Sequence, residues 1–430
     1  MRHTYRLINI IITTLLFVTI QGFSQSGWTS LNSGTTSDLF GVQFTNADIG
    51  FAVGSAGTVL KTTDGGSVWQ LISTPVSVDL NDVAILDADT VVAVGGSGTI
   101  IRSTDGGINW SSVTSGIGDE ILSVSFAGDI GIAGALSQSI IYSSDGSASW
   151  NVAQSGFFGG GFYGTKMLSP SIGFVGGENS IFQPLFGRST DGGANWGFTA
   201  FYLNSNEGEI HGIDFTDDST GYAASAVWDG RGAISRTTDG GINWTTTFFS
   251  QALNDVNFPI SNTGLVGYAV GRSGQILKTQ DAGNNWQLQN SGSAIHLQAV
   301  HFVDFDTGYA VGNSGTILKT TSGGEPPTRI GGGQNPSQKP TTFELSQNYP
   351  NPFNPATTIR YELAQESSVR LTIYNANGQK VRTLVDAVQS AGHKSVVWDG
   401  EDNAGNPVSS GIYLYRLEAS NWADSKKMIL

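Results

Sequence analysis

Six times this 430-residue chain writes Ser/Thr-x-Asp-x-Gly-x-x-Trp, with five residues from the Asp to the Trp. The copies run Asp64–Trp69, Asp105–Trp110, Asp145–Trp150, Asp191–Trp196, Asp239–Trp244 and Asp281–Trp286, and the third lacks the Gly. A seventh, worn copy reads Thr320-Ser322-Gly324, with Pro327 where the Trp would stand. From Asp64 through Ser322 the spacings are 41, 40, 46, 48, 42 and 41. A period near forty means stacked supersecondary units whose faces are buried only by their neighbours.

The first unit shows what one period contains. Val42 and Phe44 alternate, Phe51-Ala52-Val53 follows a polar turn, Gly54 to Gly57 turn the chain again, and Val59-Leu60-Lys61 leads into the motif. With the segment after Trp69, that makes four short strands per period, the content of one propeller blade. Seven blades are expected, the last lacking an outer strand because Pro326-Pro327 cannot donate to a ladder. Trp28 lies 41 residues before Trp69, in phase with the other tryptophans. The segment Trp28–Leu31 is therefore expected to complete blade seven and close the ring.

The motif has physical reasons for its residue types. The Asp accepts N–H groups of its own turn, the Gly takes positive φ, and the Trp buries a large apolar area between blades. Lys61, Arg102, Arg188, Arg236, Lys278 and Lys319 all stand three residues before the motif's Asp or Ser322, so they belong to the repeat. This wording resembles the Asp box, or bacterial neuraminidase repeat. It is more similar still to the seven-bladed propellers of the photosystem II assembly-factor family, over residues 28 to about 325. The resemblance implies an all-β propeller with structural motifs on its outer rim: Asp64, Asp105, Asp145, Asp191, Asp239 and Asp281, with Trp28, Trp69, Trp110, Trp150, Trp196, Trp244 and Trp286.

Residues 1–24 read as a signal peptide: Arg2 and Arg6, then an apolar stretch from Leu7 to Ile20, then the small residues Gly22 and Ser24. The propeller is assigned to 25–325, a Gly/Pro-rich linker to 326–341, and a second all-β domain of immunoglobulin-like type to 342–430. In that last segment Thr358–Leu363, Val369–Tyr374 and Ile412–Leu417 alternate as strands. Tyr349-Pro350-Asn351-Pro352-Phe353-Asn354-Pro355, Trp398-Asp399-Gly400, Gly411-Ile412-Tyr413 and the ending Lys426-Lys427-Met428-Ile429-Leu430 are its distinctive wording. Together they resemble the type A C-terminal sorting domain of the type IX secretion system, a family similar to the flagellar hook-capping Ig-like domain. The resemblance implies export through the inner membrane and then the outer membrane, with the type IX machinery as partner and Gly411, Tyr413, Lys426 and Lys427 within the sorting signal. A secreted or cell-surface location follows.

Chemistry is harder to find. The chain has no Cys, which excludes thiol catalysis, disulfides and Cys-based metal sites. Its formal net charge of -14 opposes nucleic acid and anionic membranes. No cofactor or metal is expected: Asp399 to Asn403 looks like a calcium loop but lacks the Gly at the sixth position and the Glu at the twelfth. No transmembrane segment is expected in the mature chain, and a monomer is expected. The period stretches only between Asp145 and Asp239. There Phe162, Tyr163 and Trp228, with Glu207, Glu209 and His211, form the candidate ligand-binding set, because loops on a rigid scaffold commonly carry binding. The reading is a non-catalytic scaffold for extracellular polysaccharide or a surface protein. A glycoside hydrolase, sialidase-like or two-carboxylate, and an envelope-complex assembly factor are the alternatives.

Overall fold

In a computed structural model the described residues are 26–154, 160–201, 203, 208–259, 265–325, 342–346, 348 and 357–430. The signal-peptide and linker assignments, together with Glu207, lie outside them. Among the described residues no helix is long and apolar enough to cross a membrane.

Seven four-stranded antiparallel sheets form the propeller. Blade one is Leu39–Phe44, Gly50–Gly54, Thr58–Thr62 and Gln70–Ile72, from the axis outward. Blades two to six repeat that order, with inner strands Leu80–Ile85, Ile121–Ala127, Phe162–Met167, Gly208–Phe215 and Leu253–Asn257. Blade seven takes Leu297–Phe302, Thr307–Gly312 and Thr316–Gly324 from its own period, and its outer strand is Gly27–Leu31 from the other end of the propeller. Thr29 pairs with Lys319 and Leu31 with Ile317. The ring is thereby closed by backbone hydrogen bonds, and blade seven keeps no unpaired edge toward its missing strand.

Each seam is packed by aromatic side chains. At four of the seven seams the second-strand ring of one blade stacks face to face on the inner-strand Phe of the next: Tyr309 on Phe44, Phe174 on Phe215, Tyr222 on Phe258 and Tyr268 on Phe302, all with centroids 3.6–3.8 Å apart. The motif Trp then meets that Phe edge-on, as Trp69 does Phe44 at 5.8 Å and 88°. Trp28 repeats this on Phe302 at 5.8 Å and 87°, filling the tryptophan place of blade seven. These rings are continuous with Val, Ile and Leu from both blades, so the propeller has one apolar cluster per seam rather than one central core.

In an antiparallel meander the turn between strands one and two shares a face with the turn between three and four. The turns between strands two and three share the other face with the blade-to-blade connections. On that second face four blades use a tight Gly-x-x-Gly turn, with Ala56, Ser97, Ser273 and Ser314 at φ of 54 to 56°. Blades four and five replace it with the longer turns Asn179–Gln183 and Trp228–Arg231.

The C-terminal unit is a sandwich. One sheet orders Glu344–Leu345, Thr357–Leu363 and Gly392–Trp398, and the other Lys380–Gln389, Ser367–Asn375, Ile412–Ala419 and Trp422–Ile429. Inward residues at every second position, among them Ile359, Tyr361, Leu371, Ile373, Tyr415, Leu417 and Trp398, fill its core.

Candidate recognition site

The Asp boxes are occupied by their own turns. Asp64 Oδ1 accepts from Thr62 Oγ1 at 2.9 Å and from the Val68 N–H at 2.9 Å. In Asp105 the second oxygen is taken as well, by Asn109 Nδ2 at 2.7 Å, and Asp191, Asp239 and Asp281 repeat that bond with their own Asn. Asp145 uses Ser149 instead. Hydrogen bonds to the charged form hold all six carboxyls below the usual range, Asp105 down to about 2.

The residue after the Asp offers its carbonyl to the preceding blade. Tyr309 and Lys319 donate to Gly65 O at 3.1 and 2.6 Å, Tyr222 to Ala282 O at 2.9 Å, and Arg102 to Gly146 O at 2.8 Å. Trp28, Trp69 and Trp150 are buried, whereas Trp110, Trp196, Trp244 and Trp286 are half-buried. The boxes are thus a belt of stitches around the rim, and among the described residues only Asp64 Oδ2 of their carboxylate oxygens is left without a partner.

Aligning the seven inner strands shows which side chains face the axis. The fifth position carries Gln43, Ser125, Lys166, Asp214, Asn257 and His301, interrupted only by Ala84. Most reach to the neighbouring inner strand: Asp214 Oδ2 accepts the Phe258 N–H at 2.7 Å and Asn257 Oδ1 the Phe302 N–H at 2.9 Å. Lys166 Nζ lies 2.6 Å from Asp214 Oδ1. At the third position Asp82 accepts the Val83 and Val124 N–H groups, and Asp255 those of Val256 and Val300. Burial pushes Asp82 up to about 6 and Asp255 up to about 8, and pushes His301 down to about 4. A hydrolase pair built on Asp82 and Asp255 would have to release backbone groups first. Among the described residues no set of His, Asp and Glu converges as a metal site.

The second inner-strand position places Tyr163 and His211 at equivalent points of blades four and five, at the mouth away from the Asp boxes. Tyr163 donates to Glu178 Oε1 at 3.1 Å, and its ring lies 5.5 Å from that of His211. His211 Nε2 is 3.1 Å from Glu209 Oε1. Glu178, at the end of its blade's second strand, is 6% exposed, and its Oε2 is buried without a partner. Burial and then the charge of Glu209 raise its carboxyl, while the bond from His211 lowers that of Glu209. Burial and both carboxylates raise the Tyr163 phenol. Gln138, from the turn of blade three, donates Nε2 to the Glu178 carbonyl at 2.9 Å, and its buried Oε1 also lacks a partner.

Beside this cluster stand two exposed rings. Phe182 and Trp228 are 41% and 58% exposed, with centroids 4.5 Å apart and planes at 51°. The Gly208 N–H donates to Phe182 O at 3.0 Å, and Gly208 pairs with Val227 across the sheet, so the backbone carrying both rings runs next to Glu209.

Phe162 must be corrected. It is 1% exposed and stacked on Phe198 at 5.6 Å. It occupies the first inner-strand position, filled by Leu39, Leu80, Ile121, Ile210, Leu253 and Leu297 elsewhere, and is core for the same reason they are. Glu178, Gln138 and Phe182 were not among the candidate set; their meeting depends on turns of three different blades, although the missing Gly-x-x-Gly turns of blades four and five are visible in the sequence.

In the C-terminal unit Gly411 and Leu430 exchange backbone hydrogen bonds at 3.0 Å. Tyr413 is buried edge-on against Trp398 at 5.0 Å. Lys426 lies 3.6 Å from Asp424, and Lys427 is exposed, opposite Leu414. Asp399 accepts from Arg382 Nη1 at 2.5 Å.

Residues 354–422 match the FlgD Ig-like domain. No curated protein sequence matches the chain. Among solved structures, YCF48 bound to D1 peptide is similar at a TM-score of 0.55 and 21% identity, covering 69% of this chain and 97% of that one. YCF48 from Cyanidioschyzon merolae is similar at 0.55 and 21%, covering 68% and 98%. The GH74 xyloglucanase from Xanthomonas campestris is similar at 0.52 and 14%, covering 69% of this chain and 54% of that one. At these identities the likeness carries the propeller fold alone.

Proposed function

We propose that this chain is a secreted or cell-surface recognition protein, exported by the type IX secretion system, whose propeller binds a glycan or protein without catalysing a reaction. One observation carries the binding reading: the exposed Phe182–Trp228 pair beside the Tyr163–Glu178–Glu209–His211 cluster, where blades four and five carry longer turns in place of the tight one. Large exposed rings on a rigid scaffold mark contact surfaces rather than stability. The export reading rests on the sorting-domain wording of 342–430 and on the Ig-like match there.

Screening the protein against glycan arrays and extracellular protein fractions, with the Trp228→Ala and Phe182→Ala variants alongside, tests the surface. A ligand whose binding survives both substitutions counts against it. Deleting 342–430 is expected to leave a folded propeller in the periplasm; surface display of that truncation would refute the sorting role.

A glycoside hydrolase is the second reading, and the opposite shifts of Glu178 and Glu209 favour it, since an acid and a base need carboxyls pushed apart. Against it, Glu178 has almost no surface to offer a glycosidic oxygen. Turnover of a chromogenic glycoside that disappears in Glu178→Gln would establish hydrolysis over binding.

A further inference from the structure

We infer that the blade-four and blade-five mouth is a seat for the cationic side chain of a basic peptide segment, Arg or Lys, on a protein partner. The inference deepens the binding reading and rests on it.

Hydrogen-bond accounting points to the missing group. The Glu178 and Glu209 carboxylates and the Gln138 amide oxygen are all acceptors. Facing them are one phenolic hydrogen on Tyr163, already given to Glu178, the His211 nitrogen given to Glu209, and the charge of Arg272, near enough to help lower the Glu209 carboxyl. Glu178 Oε2 and Gln138 Oε1 are left buried and unpaired, the Gln138 head being held at Glu178 by its own Nε2. A buried acceptor without a donor is costly, and more so beside a second negative charge. A guanidinium brings five donors and an ammonium three, each with the positive charge that relieves the Glu178–Glu209 repulsion. Among the described residues no group of three or more His, Asp and Glu is placed to hold a metal ion.

The apolar surroundings favour a peptide over a sugar. A pyranose ring stacks on one flat aromatic face, whereas Phe182 and Trp228 are tilted at 51° and flanked by Ile181, 60% exposed. That surface suits the aliphatic stem of Lys or Arg, whose head then reaches Glu209, the more exposed of the two carboxylates. The chain's formal charge of -14 draws a basic segment in from a distance.

The test is fluorescence anisotropy of a labelled hexa-arginine peptide on the purified full chain, with a chitosan hexamer and a neutral xyloglucan oligosaccharide as competitors. The Glu178→Gln/Glu209→Gln variant is expected to weaken binding by about tenfold or more. The control is Asp48→Asn/Asp89→Asn, an equal charge change at exposed turns of the Asp-box face, expected to shift binding by less than about twofold. Because Glu178 is buried, Glu209→Gln alone is a second variant, expected to lose about threefold or more with an unchanged melting curve. Equal loss in both double variants would mean general attraction to an acidic chain and would overturn the inference. So would undetectable peptide binding, or chitosan displacing the peptide at lower concentration. If Trp228→Ala abolishes binding of an array-identified ligand while the Glu variants leave it intact, the surface reading stands and the cation seat fails. If Trp228→Ala spares every ligand, the surface reading itself fails.

Discussion

Truncating Trp28 asks whether a residue near the start of the propeller stabilises its far end. The side chain is 4% exposed, edge-on to Phe302, with its indole N–H 3.4 Å from Gln289 Oε1. Burying an indole removes roughly 200 Å² from water, and at about 25 cal/mol per Å² that is about 5 kcal/mol. Extended-chain areas overstate burial, so the transfer part falls to about 3–4 kcal/mol. The edge-to-face contact adds about 0.5–1.5 kcal/mol, and the long indole bond adds little. Trp28→Ala is therefore expected to cost about 4 kcal/mol, within the range for buried aromatic truncations. Taking a guanidinium m-value of about 5 kcal/mol/M for a ring this size, the midpoint falls by about 0.8 M.

Guanidinium unfolding followed by near-ultraviolet circular dichroism reads this out, with two companions. Trp69, 7% exposed in the same edge-on geometry, should lose a similar amount on truncation, and exposed Trp228 almost nothing. If Trp69→Ala shifts the midpoint as expected and Trp28→Ala leaves it unmoved, the closing strand does not hold the ring shut. A further signature separates closure from ordinary packing. Detaching Gly27–Leu31 bares the edge of Thr316–Gly324, so Trp28→Ala should also associate at high concentration while Trp69→Ala stays dispersed.

Three other outcomes are expected. Gly107 has φ of 81°, and a Cβ there would sit 2.3 Å from the Phe51 ring, so Gly107→Ala should cost about 2–4 kcal/mol in the same unfolding assay; a loss below about 0.5 kcal/mol would contradict the seam geometry. Asp255, pushed up to about 8, holds in the folded state a proton that the unfolded chain has lost above pH 4, so its contribution falls as pH rises through that window. His301 runs the other way between about 4 and 6.5 and is untouched in Asp255→Asn, which should therefore lose less melting temperature between pH 4.5 and 8 than wild type. At the acid end the Asp-box carboxyls lie below their usual range, so their stabilisation is present above about pH 4 and is lost as pH falls toward 2, where Asp105 titrates. Asp105→Asn should shrink that acid loss in a melting series from pH 4 to 2.

Most of the architecture was legible because a repeat protein states each packing rule seven times. The Trp phase alone placed Trp28 beside a blade more than 260 residues away, and the outer strand Gly27–Leu31 lies there. What one unit could not reveal was contact between units. The stacking of Tyr309 on Phe44, and the reach of Lys319 to the Gly65 carbonyl, join residues more than 250 positions apart. The axial row Gln43, Ser125, Lys166, Asp214, Asn257 and His301 was readable by aligning inner strands, as was the core place of Phe162. Phe162 and Tyr163 are neighbours in sequence yet face opposite ways, because a strand alternates its faces residue by residue. Glu178 had no such signal, since it enters a turn outside the repeat, whereas Gln138 stands at the second-glycine place of blade three's tight turn, at φ of 54°.

The same economy accounts for where a binding surface can arise. Each blade touches only its two neighbours, and its stability sits in the seams and the Asp-box belt. The turns on the opposite face contribute little to either, so they can lengthen without opening the ring. Blades four and five keep their boxes intact, with Asp191 and Asp239 bonded to Asn195 and Asn243 as in the regular blades, and keep the Phe174–Phe215 stack between them. Only the far turns differ. An unpaired carboxylate oxygen at Glu178 and two exposed rings would each lower the stability of an isolated domain. Here they sit above a seam that is complete, which is why the ring tolerates them.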